Sequence, residues 1–419
     1  MNTVKWPFSS MLRLLVLPLA VAATGCGGGG KVGDGLLILS QDTAPGTTLT
    51  LLPGTTPSVA PGTSVAATGP TVPLSNPTNG ATNVPVSTVG PGDVLTPRTI
   101  SAGFSEAMNP VTIVSPAASF TVKETVSGVS VAGSVTMNSE NTLATFTPSA
   151  ALPGNTQFTA TVTVAATNTT GTPLAGNYGW SFTTGSQIGQ APVNLGAASG
   201  FVVLGGTSIA NFSTALNPTR VQGQLGIDPG NTNNVTGFTA SSPSGSGVIS
   251  TGGIQFGPVV NKAKNDLLVA LNDANARTNN RIAVGVSDLA TFRVNGGVPG
   301  VYPPGLYSST SSLSLNLGDI TLDAQGDPDA VWVFQSKSDL NVGDARQVVL
   351  RNAAKSSNVF WSLGSSANIG DRVSFRGNIL AGSSNTIGTG TAIGTTVAGR
   401  VLSVSGLNLY TATIDPAAP

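Results

Sequence analysis

The sequence predicts an all-β chain with one long helix, laid out as two β domains in series behind an export segment. Three observations carry this reading. The first is the stretch Leu322–Gln335, LDAQGDPDAVWVFQ, with a strand end at Leu322, a turn at Gly326-Asp327-Pro328 and an unbroken apolar strand from Ala330 to Phe334. β-Branched and aromatic runs bounded by turn formers are the strand-after-turn signal. The pattern returns at Val348–Leu350, Val359–Trp361, Phe375–Leu380 and Val397–Leu402, with Gly, Ser, Asn and Thr between. Such long returns favour stacked coils over hairpins, while leaving a β-sandwich open. The second observation is composition: 53 Gly and only 9% charged residues, against about 25% in an average soluble protein. The third is a single helical stripe. Val260, Ala263, Leu267, Leu271 and Ala274 recur at three- and four-residue spacing between Pro258 and Arg277, and a proline suits the first helical position.

The elements follow in order. Residues 1–26 read as an export signal, with Lys5 and Arg13 before an apolar core Leu14–Ala23 that is short for a membrane span. The core ends in Ala23-Thr24-Gly25-Cys26, which resembles the bacterial lipoprotein cleavage box. Cys26, the only cysteine, is then the expected lipidation site, an anchor to the outer membrane or cell surface. An ordinary signal peptide with an incidental Cys is the alternative. Residues 27–69 are a Gly/Thr/Pro tether with one apolar run, Leu36–Leu39.

Residues 70–186 read as a β-sandwich. Short alternating strands lie between Pro, Gly and Asn turns, and Tyr178, Trp180 and Phe182 share one face. The runs Asn79–Pro85, Phe104–Pro110 and Trp180–Gly185 resemble a bacterial Ig-like domain of surface proteins, which implies a spacer. Glu106 and Asn109 are read as turn chemistry, since Asn109-Pro110 is a turn dipeptide. A connector at 187–192 leads to a second domain over 191–416, and the two halves are expected to fold separately.

The second domain resembles the ice-binding-like family in LDAQGDPDAVWVFQ, Asn358–Ala367 and Phe375–Ala381, starting from LGAASGFVVLGG at Leu195. The resemblance implies an irregular right-handed β-solenoid with a helix packed alongside, and a function of holding ice or a similar extended surface.

Composition narrows the chemistry. There is no His, so no imidazole base, ligand or neutral-pH switch is available. Formal net charge is zero, which gives no electrostatic case for nucleic acid. The lone cysteine rules out an internal disulfide. Asp323, Asp327 and Asp329 are the one dense carboxylate group of the C-terminal half. They read as turn caps rather than calcium ligands, which come denser and in a fixed order. No paired carboxylates for a carbohydrate-active enzyme are visible. The expectation is a non-catalytic monomer without cofactor or metal, whose partner is ice or, alternatively, an extracellular polysaccharide or cell surface.

Ice carries neither charge nor pocket, so its binder needs a flat, rigid face of small hydroxyl and methyl groups. Thr suits this because its branched side chain is stiff. The candidate face residues are Thr389, Thr391, Thr395 and Thr396, with Ser309 and Ser311. Ile393-Gly394-Thr395-Thr396 matches, with Ile in place of the first Thr, the Thr-Ala/Gly-x-Thr/Asn step of ice-active members. Asp344, Arg346, Asp371 and Arg372 put charges in neighbouring coils, and would interrupt the face if they share it.

Overall fold

The computed structural model describes residues 69–117, 119–214, 217–238, 248–249, 253–285 and 288–417. Cys26 and the tether up to residue 68 lie outside them. Residues 66–419 form one compact unit.

The first domain is a two-sheet sandwich. One sheet orders Leu74–Asn76, Ile100–Gly103, Leu143–Pro148 and Gly133–Met137; the other orders Ala81–Val84, Tyr178–Thr184, Gln157–Val162 and Phe120–Glu124. Alternation aims Phe146, Phe158, Trp180 and Phe182 into the space between the sheets, where Phe120 meets Trp180 at 5.7 Å. Tyr178 packs on the rim of that core. Asn109 is a turn residue as read, its Oδ1 accepting from the Val111 amide at 3.3 Å.

The second domain is a solenoid of parallel strands on three faces. Among the described residues, one face has nine strands, the second seven, and the third two groups of five and three joined by a Gln347–Ser374 bridge. In-register stacking places like residues above one another at the usual ~4.8 Å strand spacing. Inside, Tyr307, Phe334 and Trp361 align rung on rung. The Phe334 and Trp361 rings lie 4.2 Å apart and 10° from parallel. Leu322–Gln335 follows the order read from sequence, strand Ile320–Asp323, turn, strand Trp332–Ser336, with the second strand starting and ending two residues later than expected.

The coils are not stacked in chain order. Phe201–Gly205 lies between Gln224–Ile227, its successor, and Val401–Ser403 from the far end of the chain. The chain therefore builds two coils, crosses to the opposite end, and winds back until the last coil closes on the first. The helix Pro258–Ala276 makes the crossing. Its 19 residues span about 28 Å. Val260, Ala263, Leu267, Leu271 and Ala274 are all buried, against Leu306, Val333, Phe360, Leu380 and Leu402 of the nine-stranded face. Gln335 Nε2 donates to the terminal carbonyls of Ala274 at 2.6 Å and Arg277 at 3.0 Å, which satisfies acceptors a helix end leaves open.

The connector is not the sole junction between the domains. Arg98, 5% exposed, donates to Asp327 at 2.5 Å, Asp329 at 3.1 Å and Asn76 at 2.9 Å. Thr78 donates to the Gly326 carbonyl, and the Asp93 carboxylate accepts from the Thr278 amide at 3.0 Å and from its hydroxyl at 2.5 Å. The dense Asp group caps turns as read, Asp327 Oδ1 accepting from the Asp329 amide at 3.0 Å, and it does more besides. Asp323 does cap, accepting from the Gln325 amide and Asn352. Asp327 and Asp329 also ion-pair across the domain boundary with Arg98. Residues 325–329 lie where the chain passes from the third face to the helix face, the one corner that does not border the seven-stranded face.

Candidate binding face

Of the three solenoid faces, the nine-stranded one is covered by the helix. The third carries charge: Arg220 aligns with Thr413, Thr396 and Ser374, and Arg376, Asp323 and Arg351 project beside them. The seven-stranded face differs from both. Its strands are short, with the outer positions buried and the middle one turned out, as in Leu313-Ser314-Leu315, Leu340-Asn341-Val342, Ala367-Asn368-Ile369, Asn385-Thr386-Ile387 and Leu407-Asn408-Leu409. The inward pair anchors each rung in the core, and the outward side chain has one direction open to it.

Register joins those outward residues into one row: Ser314, Asn341, Asn368, Thr386, Asn408, Ala210 and Thr236. Six steps of ~4.8 Å give a row about 29 Å long. Every member is small, and none is charged. Asn368 Nδ2 donates to Asn341 Oδ1 at 3.0 Å, so neighbouring rungs hold each other's orientation. On the entry side lie Ser312, Asp339, Ser366, Ser384 and Ser208. Asp339, the one charge among them, is engaged by the Ser366 amide at 3.0 Å and the Ser338 hydroxyl. On the exit side the row continues as Asn316, Gly343, Gly370, Gly388, Tyr410 and Phe212, extending the same backbone ladder.

The residues singled out from sequence fall around this face rather than on one surface. Ser309 and Ser311 sit on the corner with the helix face. Ser309 is 4% exposed, and its hydroxyl donates to the Gly285 carbonyl at 3.0 Å; Ser311 is exposed. Thr389 and Thr391 are exposed on the corner leading to the third face. Thr396 lies on the third face itself, in line with Thr413 and Arg220. Thr395 is 1% exposed and donates inward to the Gly370 carbonyl at 3.0 Å. The structure therefore does not bring the six together, and Ser309 and Thr395 are interior groups.

Of the charges that would interrupt the face if they shared it, Asp344 borders it, lining one hollow with Asn341, Asn368, Thr386 and Thr389 while its Oδ1 accepts from the Asp371 amide at 2.9 Å; Arg346 is half-buried. Asp371 is buried under the Thr389–Ala392 loop and accepts from the Thr389 and Thr391 amides and hydroxyls and from the Ala392 amide. Burial alone would push its pKa up. The Thr389 and Thr391 hydrogen bonds outweigh that, and hold the carboxyl well below the usual carboxylate range. Asp344 and Arg372 are exposed on the same corner. The Asn row is not a Thr-rich segment, so it does not stand out in the sequence. Its signal is the recurring apolar-polar-apolar triplet, with Asn341 and Asn368 27 residues apart.

The fold is a helix-strapped parallel solenoid whose seven-stranded face carries an uncharged outward row. Residues 203–415 match the family described as Ice-binding-like, and residues 66–184 match the Bacterial Ig-like domain. The "Ice-binding protein" of Nostoc sp. (strain HG1) is 35% identical over 212 residues, which are 51% of this chain and 69% of that protein. That of Leucosporidium sp. (strain AY30) is 30% identical over 229 residues, 53% of this chain and 83% of that one. A crystal structure of an ice binding protein from an Antarctic biological consortium aligns with 34% identity and a TM-score of 0.47, over 54% of this chain and 92% of that chain. The chain belongs to the ice-binding-like family, and carries a bacterial Ig-like domain ahead of it.

Proposed function

We propose that this protein binds ice, without catalysis and as a monomer, through the seven-stranded face, from a position outside the cytoplasm. The single observation that carries the reading is the uninterrupted row from Ser314 to Thr236, neutral along its whole length. A neutral lattice offers nothing to a charge, and charged side chains hold water in their own arrangement. Small amides and hydroxyls fixed at a regular spacing can instead hold a water layer that continues the lattice. Rigidity supports this, since the outward residues from Ser314 to Ala210 are each flanked by two buried residues. Thr389 and Thr391 border the face and extend it.

The Ig-like domain and Cys26 make the protein a surface-anchored adhesion molecule in this reading. Cys26 would be the lipidated residue, the tether would give reach, and the Ig-like domain would be a spacer. Docking of the Ig-like domain at the corner away from the seven-stranded face supports the arrangement, because it leaves that face clear.

Ice-affinity capture of full-length protein tests the reading. Asn368→Tyr puts a ring in the middle of the row and should cut capture at least about tenfold with the melting temperature unchanged, since the position is exposed. Thr396→Tyr, on the third face, should leave capture intact. The opposite pattern moves the site to the third face, and an uncaptured wild type ends the ice reading. For the anchor, Cys26→Ser should shift the protein out of the membrane fraction or leave it unprocessed. Unchanged partition and mass would remove Cys26 from the account.

A further inference from the structure

The uncharged face ends in two stacked rings. Tyr410 and Phe212 occupy successive rungs of the exit row, their amides donating to Ile387 and Leu409 at 2.8 Å. Their ring centroids lie 4.8 Å apart and 16° from parallel. Gly390 lies against Tyr410, where a Cβ would come within 3.0 Å of the ring, so Tyr410 is held between that backbone and Phe212. Phe212 is the outer ring of the pair. Phe238 of the coil beyond packs against the core. With one face covered by Tyr410, Phe212 is still 54% exposed, which requires its second face to be open as well as its edge. Asn408 is the outward residue of the rung that ends in Tyr410, Ser213 follows Phe212 with its hydroxyl accepting from Asn211 Nδ2 at 2.8 Å, and the row alongside is uncharged.

An open ring face rimmed by neutral hydrogen-bonding groups matches one chemistry closely. A pyranose presents a patch of C–H bonds on one side and hydroxyls around its edge. The C–H patch lies on an aromatic face, whose electron-rich surface attracts the partly positive hydrogens, and the hydroxyls pair with amides and hydroxyls. The lack of local charge selects against acidic sugars, which would bring a carboxylate with no cation to meet it. We propose that Phe212, supported by Tyr410, is a binding site for a neutral polysaccharide, at the end of the same face assigned to ice. The site does not depend on the ice reading.

The test is native affinity electrophoresis of full-length protein in gels cast with dextran, mannan or, as the anionic control, alginate. Wild type should be retarded by at least one neutral polymer and not by alginate. Phe212→Ala should weaken that retardation about tenfold, the scale of losing one stacked ring, while Phe212→Trp keeps it. Circular dichroism checks that Phe212→Ala stays folded, as expected for an exposed ring. Absence of retardation by both neutral polymers, equal retardation by alginate, or full retardation of Phe212→Ala would each overturn the site. Ice capture on the same wild-type preparation separates the two readings. Capture without retardation overturns the sugar site alone, and retardation without capture overturns the ice reading alone.

Discussion

Replacing Arg98 by Ala should undo the junction between the domains, and by a recognisable route. Arg98 is the cation at a buried site that holds Asp327, 2% exposed, and it also reaches Asp329 and Asn76. Burial pushes the Asp327 carboxyl up, and the Arg98 guanidinium opposes that shift. Truncating Arg98 leaves the carboxylate buried without its partner, which costs about 3–5 kcal/mol at neutral pH. Protonation offers a partial escape. The folded pKa of Asp327 lies above its unfolded value, so between the two the folded form binds more protons and gains stability as pH falls. Without Arg98 that pKa should climb further, so the penalty should shrink on acidification from pH 7 to about 4.5. Denaturant unfolding at both pH values, run for Arg98→Ala, Asp327→Asn and the double variant, measures this. The double variant should recover most of the loss, because no stranded charge remains. A loss under about 1 kcal/mol for Arg98→Ala, or one unaffected by Asp327→Asn, would refute the buried pair as the junction.

Two further outcomes are expected. Asp371→Ala should cost about 2–4 kcal/mol by untying the Thr389–Ala392 corner, read as lost amide protection at Thr389, Thr391 and Ala392. Since the Asp371 pKa is depressed in the fold, wild type should keep this contribution above about pH 4 and lose it only as pH falls through the folded value; a loss already at pH 6 would contradict the assignment. Lys264, whose Nζ donates to the Ser403 and Val404 carbonyls, is lowered from 10.5 to about 8, chiefly by burial. The unfolded chain then binds more protons between those values, so unfolding free energy should rise with pH from about 8 to 10, by on the order of 1 kcal/mol after screening. Above about pH 10 the buried Tyr302 and Tyr307, both pushed up by burial, reverse the slope. Lys264→Met should flatten the rise, and a flat wild-type profile would refute it.

The sequence by itself determined the local elements. The Gly-Asp-Pro turn, the run Ala330–Phe334, the Pro258 start and the stripe from Val260 to Ala274 all act within a few residues, so propensity and period suffice to read them. Tyr178, Trp180 and Phe182 were legible for the same reason, because a strand's two faces alternate. Tertiary structure decided what depends on rung placement. No local pattern states that Phe201–Gly205 closes on Val401–Ser403, because that pairing joins the two ends of the solenoid. Which Ser and Thr face outward was likewise hidden. Thr395 and Thr396 are neighbours in sequence, yet one points into the core and the other to solvent, and the corner geometry sets which. Asp371 looked like a surface charge until the loop it ties folded over it. Arg98 belongs to the first domain and Asp327 and Asp329 to the second, and only docking made them one cluster. The uncharged face, too, is a product of register: Ser314, Asn341, Asn368, Thr386 and Asn408 lie far apart along the chain, and parallel stacking is what sets them in line.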